Sequence, residues 1–108
     1  MSYNIDDTVR LNNLYDIYNN LLTKKQRLYF EYYFREDYSL GEIAEIFNVS
    51  RNAVHLQIKK VSTYLEDYEE KLNLLEKTNL RNKLLDELKT KINSKKDIKE
   101  YIEKIKKV

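Results

Sequence analysis

Ser39–Ile58, SLGEIAEIFNVSRNAVHLQI, is the stretch whose reading decides the fold. It has the form of a helix-turn-helix. Ser39 stands where it can cap a helix, and Glu42 three residues later completes a capping box. Ile43, Ala44 and Phe47 then share one helical face, and the small side chain of Ala44 suits a close helix crossing. Asn48 stands where the chain must reverse, and Asn tolerates the left-handed backbone that such a turn often needs. Val49 is placed to plug the gap between the two helices. Ser50 can cap the second, whose Val54, Ile58 and Val61 turn inward at spacings of four and three. Helices joined by so short a turn cross steeply, so the start of the second projects outward. In DNA-binding proteins that end enters the major groove.

Composition agrees with an all-α chain. Among 108 residues there is no Pro and one Gly, Gly41, too few turn formers for a sheet protein of this size. Hydrophobic residues make up 42%, enough for a modest core. With no Cys, disulfides and thiolate metal sites are excluded. The N-terminus MSYNIDDTVR lacks the basic and apolar regions of a signal peptide, and no apolar run approaches a membrane span. The expectation is a cytoplasmic protein with no membrane partner.

Charge qualifies the DNA reading. Twenty basic against 18 acidic residues leave a net charge of only +2. Within residues 39–63 Arg51, Lys59 and Lys60 face Glu42 and Glu45. All three cations lie on the second helix and both acids on the first. The reading helix is therefore sparsely basic, which predicts weak or partner-assisted nucleic-acid binding.

Outward from the motif, periodicity predicts a first helix from about Thr8 to Leu22, with Asp6, Asp7 and Thr8 as caps. Its apolar face is Leu11, Leu14, Tyr15, Tyr18, Leu21 and Leu22. Thr23 with Gln26 forms a capping box that opens a second helix to about Arg35. Leu28, Tyr29, Phe30, Tyr32, Tyr33 and Phe34 surround that helix with apolar groups and predict a central position. Downstream, Val54, Ile58, Val61, Leu65, Tyr68, Leu72 and Leu75 are spaced 4, 3, 4, 3, 4, 3, a heptad seam. It implies either one long recognition helix or a break near Thr63. The seam can close the monomer core or form a homodimer through residues 54–75, and dimeric reading of two half-sites favours the latter. Thr78 and Asn79 read as a break. Leu80, Leu84, Leu85, Leu88 and Ile92 mark a further helix. Asn93 and Ser94 make a second break, with Ser94 capping a last helix lined by Ile98, Tyr101, Ile102, Ile105 and Val108. The expected organisation is a helical domain over 1–75, holding the helix-turn-helix at 39–61, and a helical extension over 76–108.

Ser50, Arg51, Asn52, His55 and Lys59 are the candidate nucleic-acid contacts. Arg51 matches guanine and Asn52 adenine in donor and acceptor pattern. Ser50 and the free N–H groups at that helix end suit a phosphate. His55, the one His, has no Cys or paired acid at metal-ligand spacing, and nothing proposes a nucleophile for it to activate. No catalytic residue, metal or cofactor is expected. Most of the ten Tyr and three Phe fall at helical apolar positions and read as core. Tyr38, in a loop, stays open as a base-stacking group. From Tyr64 onward 12 basic and 10 acidic residues favour a solvated surface over a phosphate-binding one.

The block Leu22–Leu72, above all YSLGEIAEIFNVSRNAV followed by the acidic LEDYEEKL, resembles the YlxM family of small bacterial helix-turn-helix proteins. The motif is also similar to region four of bacterial sigma factors, which reads promoter DNA, but with acidic and polar residues in place of much of the basic surface. The resemblance implies an all-helical cytoplasmic protein without catalytic residues. Genes of the family commonly sit beside those for the signal recognition particle GTPase or its receptor, which implies a part in that pathway. Duplex DNA, docked through its major groove, is the expected partner of a regulatory protein. The alternative is an adaptor that binds the protein or RNA of the signal recognition particle and no operator.

Overall fold

Residues 3–91 and 95–108 are described by a computed structural model of the chain. The described residues form six α-helices, α1 (Ile5–Tyr18), α2 (Lys24–Phe30), α3 (Leu40–Phe47), α4 (Arg51–Leu72), α5 (Leu74–Lys91) and α6 (Lys95–Lys106), with a short 3₁₀ and a π segment between them. The fold is an all-α helix-turn-helix fold, with no strand among the described residues. The chain divides into two compact units, one ending at Leu72 and the other running from Asn73 to Val108.

Local chemistry sets the helix starts of the first unit. Asn4, not the expected Asp6–Thr8 group, caps α1: its Oδ1 accepts from the Asp7 amide at 2.7 Å, and the Asp7 side chain answers the Asn4 amide. The helix therefore begins earlier than Thr8. It also ends earlier, at Tyr18, where Asn19–Leu21 tightens into a 3₁₀ turn and leaves Leu21 exposed. The capping boxes of Thr23 with Gln26 and Ser39 with Glu42 both form. After Phe30 the second helix loosens into a π turn, Glu31–Arg35. That turn is held to α1 by Arg35, whose guanidinium lies 4.6 Å from the Tyr15 ring centroid and pairs with Asn12 and Asp16.

The core of this unit is built by α1, α2, α3 and α4 as far as Leu65. Leu11, Leu14, Tyr15, Tyr18, Leu22, Tyr29, Phe30, Ile43, Ala44, Val54, Ile58, Val61 and Leu65 are buried. Tyr15 stacks on Phe30 with centroids 4.3 Å apart, and Tyr29 stacks on Phe47 at the same separation. Tyr38 stacks on Tyr32 at 5.2 Å and packs against the core, so it is no free platform for a base.

Helix α4 runs unbroken through Thr63 to Leu72, which settles the choice left open by the periodicity. The seam does not continue as expected. Val54, Ile58, Val61 and Leu65 are fully buried within the single chain, so this part of the 54–75 seam is not available to a second copy. Beyond it Tyr68 is half-buried, Leu72 is exposed, and Glu69 takes the buried position. The Tyr18 hydroxyl donates to Glu69 Oε1 at 2.7 Å, giving the buried carboxylate a partner. Helix α4 ends at Leu72, and Asn73 follows in the left-handed conformation at φ 55°.

In the second unit α5 packs against α6. Thr78 and Asn79 do not interrupt α5. Thr78 Oγ1 donates to the Leu74 carbonyl at 2.7 Å, satisfying its hydroxyl inside the helix. Leu84, Leu88, Ile98, Tyr101 and Ile105 are half-buried, whereas Leu80, Leu85 and Ile102 are exposed. The expected Asn93–Ser94 break, its Ser94 cap and the apolar Ile92 lie outside the described residues. No described helix is long and apolar enough to cross a membrane.

Candidate nucleic-acid interface

The turn between α3 and α4 is made by one backbone corner. Asn48 adopts φ 54° and ψ 52°, its amide donates to Glu45 O, and the Val49 amide donates to Ala44 O at 3.0 Å. A left-handed residue at this point turns the next side chain outward, so Val49 is exposed and does not plug the crossing. Phe47 instead packs onto the core, wedged against Tyr29 and Tyr32.

Ser50 opens α4. Its Oγ accepts from the Ala53 amide at 3.0 Å and its carbonyl from the Val54 amide at 3.1 Å. The amides of Arg51 and Asn52 precede these and have no intrahelical acceptor. The first turn of α4 carries no acidic residue, so the positive end of the helix dipole is not offset there. Ser50, Arg51 and Asn52 are all exposed and adjacent.

Arg51 does not simply extend into solvent. Its guanidinium folds back over α3 at Gly41, where an added Cβ would lie 3.0 Å from Nε and 3.1 Å from Nη2. The chain's one glycine thus clears room for a cation between the two helices of the motif. This approach joins residues ten positions apart and leaves no periodic signature, although a lone Gly inside a helical pattern is a signal of close approach.

The remaining candidates separate from this cluster. His55 is half-buried one turn further along α4. Lys59 is exposed and lines a groove of about 450 Å³ between α1 and α4, together with Tyr3, Asp7, Arg10, Ser62, Glu66 and Asp67. Arg10 spans this groove in a bidentate pair with Glu66, at 2.7 and 2.9 Å. Lys59 therefore sits among carboxylates, whereas Arg51 sits at a helix start free of acids. Leu56 and Lys60, exposed on the same stretch of α4, were not among the candidates. Among the described residues no three His, Cys, Asp or Glu side chains come together as a metal site.

The helix-turn-helix geometry coincides with sequence relationships over nearly the whole chain. The family described as "Putative helix-turn-helix protein, YlxM / p13 like" matches residues 5–106. The chain is 52% identical over 102 residues to a UPF0122 protein of Oceanobacillus iheyensis, covering 94% of this chain and 96% of that one. It is 54% identical over 88 residues to a UPF0122 protein of Anoxybacillus flavithermus, covering 82% and 80% respectively. With a UPF0122 protein of Bacillus cereus it shares 46% over 101 residues, 94% of this chain and 92% of the relative. The chain belongs to UPF0122, the YlxM / p13-like family of helix-turn-helix proteins.

Proposed function

We propose that this protein is a DNA-binding regulator that docks the start of α4 in the major groove of a duplex. One observation carries the reading: a left-handed corner at Asn48 presents an acid-free, Ser50-capped helix start with Arg51 and Asn52 exposed on it. Ser50 and the amides of Arg51 and Asn52 suit a phosphate oxygen. The carboxamide of Asn52 suits an adenine edge. Arg51, lying beside the backbone of α3, suits a phosphate at the groove's rim or a guanine just inside it. His55 and Lys59 serve as flanking contacts one and two turns along. The reading calls for no catalytic step, no metal and no cofactor. The resemblance to YlxM proteins supports a setting in the signal recognition particle pathway and in the cytoplasm.

The test is competition binding with duplexes from the gene's own neighbourhood against random DNA, across a salt series. Specific binding weakens as salt rises, and Arg51→Ala or Asn52→Ala costs about 1–3 kcal/mol if the contact is bidentate to a base. Equal binding to all duplexes would sink the regulator reading.

A second reading has its own support. Lys59 lies in a groove with Asp7, Glu66 and Asp67, and the net charge is only +2. Such a surface favours an adaptor for the protein or RNA of the signal recognition particle. Recovery of that protein or RNA from cells with the tagged chain, without enrichment of any DNA segment, supports the adaptor.

A further inference from the structure

We infer that Leu56 is a specificity-determining residue that reads the C5-methyl group of thymine; this rests on the DNA-binding reading above. Leu56 is 54% exposed on α4, two turns of chain away from the cap. At about 100° per residue it lies roughly 170° around the helix from the mean direction of Val54, Ile58, Val61 and Leu65. Those four are the side chains the core takes from α4. Leu56 is thus the apolar residue on the face opposite the core, where its neighbours Asn52, Lys59, Lys60 and Thr63 are exposed and polar.

Asn52 stands four residues before it, so the two side chains share one face with their Cβ atoms about 5–6 Å apart. That distance spans one to two base steps, which rise about 3.4 Å each along a strand. A carboxamide offers adenine a donor and an acceptor. An isobutyl group offers neither, so it cannot serve a phosphate and would leave the amino group of a facing cytosine without a partner. Of the four base edges in the major groove, thymine is the one that presents a methyl group. The pair Asn52–Leu56 therefore selects a duplex with A·T pairs at neighbouring steps. Leu56 makes no part of the buried core, so its removal leaves the fold intact.

The experiment begins with selection of bound duplexes from a random pool by the full-length protein. The selected duplex is then remade with each thymine replaced singly by deoxyuracil, which deletes only the methyl group. With the natural sequence, one or two replacements should weaken binding about five-fold, the scale of one buried methyl. With Leu56→Ala, binding to the thymine duplex should fall by a similar factor and the same replacements should have no further effect. If the selected duplex binds but no replacement distinguishes the natural chain from Leu56→Ala, the thymine assignment is wrong while the DNA reading stands. If no duplex is enriched at all, the DNA reading fails and takes the assignment with it.

Discussion

The guanidinium of Arg51 rests on the backbone of Gly41, close enough that a Cβ there would stand 3.0 Å from Nε. The contact involves the far end of a flexible, exposed side chain, so it can yield by a few tenths of an ångström. Against that small cost stands the helix propensity of Ala, up to about 1 kcal/mol better than Gly. Gly41→Ala should therefore raise stability by about 0.5 kcal/mol, seen as a higher urea midpoint at unchanged slope. A loss of stability would show that Arg51 is fixed where it lies. On the DNA reading the same variant displaces the cation and weakens duplex binding while the fold gains.

Asn48 should tolerate Gly and resist Ala. Its φ of 54° lies where a Cβ crowds the following carbonyl. Asn48→Ala should cost about 1 kcal/mol in urea or thermal melts, and Asn48→Gly should stay within about 0.5 kcal/mol of the parent. Equal losses in both would show that the Asn side chain, not its backbone conformation, is what the corner needs.

These corners and caps were readable because their causes are local. Ser39 with Glu42, Thr23 with Gln26, Ser50 and Asn48 each act on atoms within a few residues, so spacing alone exposes them. The stripe Val54, Ile58, Val61, Leu65 was readable for the same reason. Most of what escaped depends on distant partners. Glu69 is buried and accepts a hydroxyl from Tyr18, 51 positions earlier, and no local pattern marks such a carboxylate. Thr78 resembled a break because a hydroxyl competes for the backbone, yet in α5 it bonds back to Leu74 and the helix continues. At the site, adjacency of Ser50, Arg51 and Asn52 was plain in the sequence. The full acidic company of Lys59 was not, since Asp7 reaches it from another helix.

Two polar contacts between α1 and α4 should differ sharply in worth. Tyr18 is fully buried, and Tyr18→Phe deprives the buried Glu69 carboxylate of a 2.7 Å donor. A cost of about 1–3 kcal/mol is expected. Arg10 and Glu66 form two hydrogen bonds rather than one, but their side chains are 51% and 43% exposed. Arg10→Ala should cost under about 1 kcal/mol and lose part of that in high salt. Comparable costs for the two variants would contradict the ranking by burial.

Alkali should unfold the chain through Tyr15. Burial, and then the hydrogen bond its hydroxyl donates to Glu31, push the Tyr15 phenol up from 10.0 to about 12. Burial raises Tyr29 and Tyr33 as well. The unfolded chain therefore gives up these protons first. The stabilising effect is complete below about pH 10 and is lost as pH climbs towards 12, a change on the order of 2 kcal/mol from Tyr15. Urea melts at neutral pH and at roughly pH 11 should show this decline, and Tyr15→Phe should flatten it. An equal slope in Tyr15→Phe would assign the decline to other groups.

The corner at Asn48 has a consequence for how such a protein can change over generations. The angle at which α4 is offered is stored in the backbone of a single residue and in the contacts of Phe47 behind it. The outward residues Asn52, Leu56, Lys59 and Lys60 take no part in holding that angle. On the DNA reading they form a script that can be rewritten letter by letter while the page stays flat, so new targets are open to this architecture without a new fold.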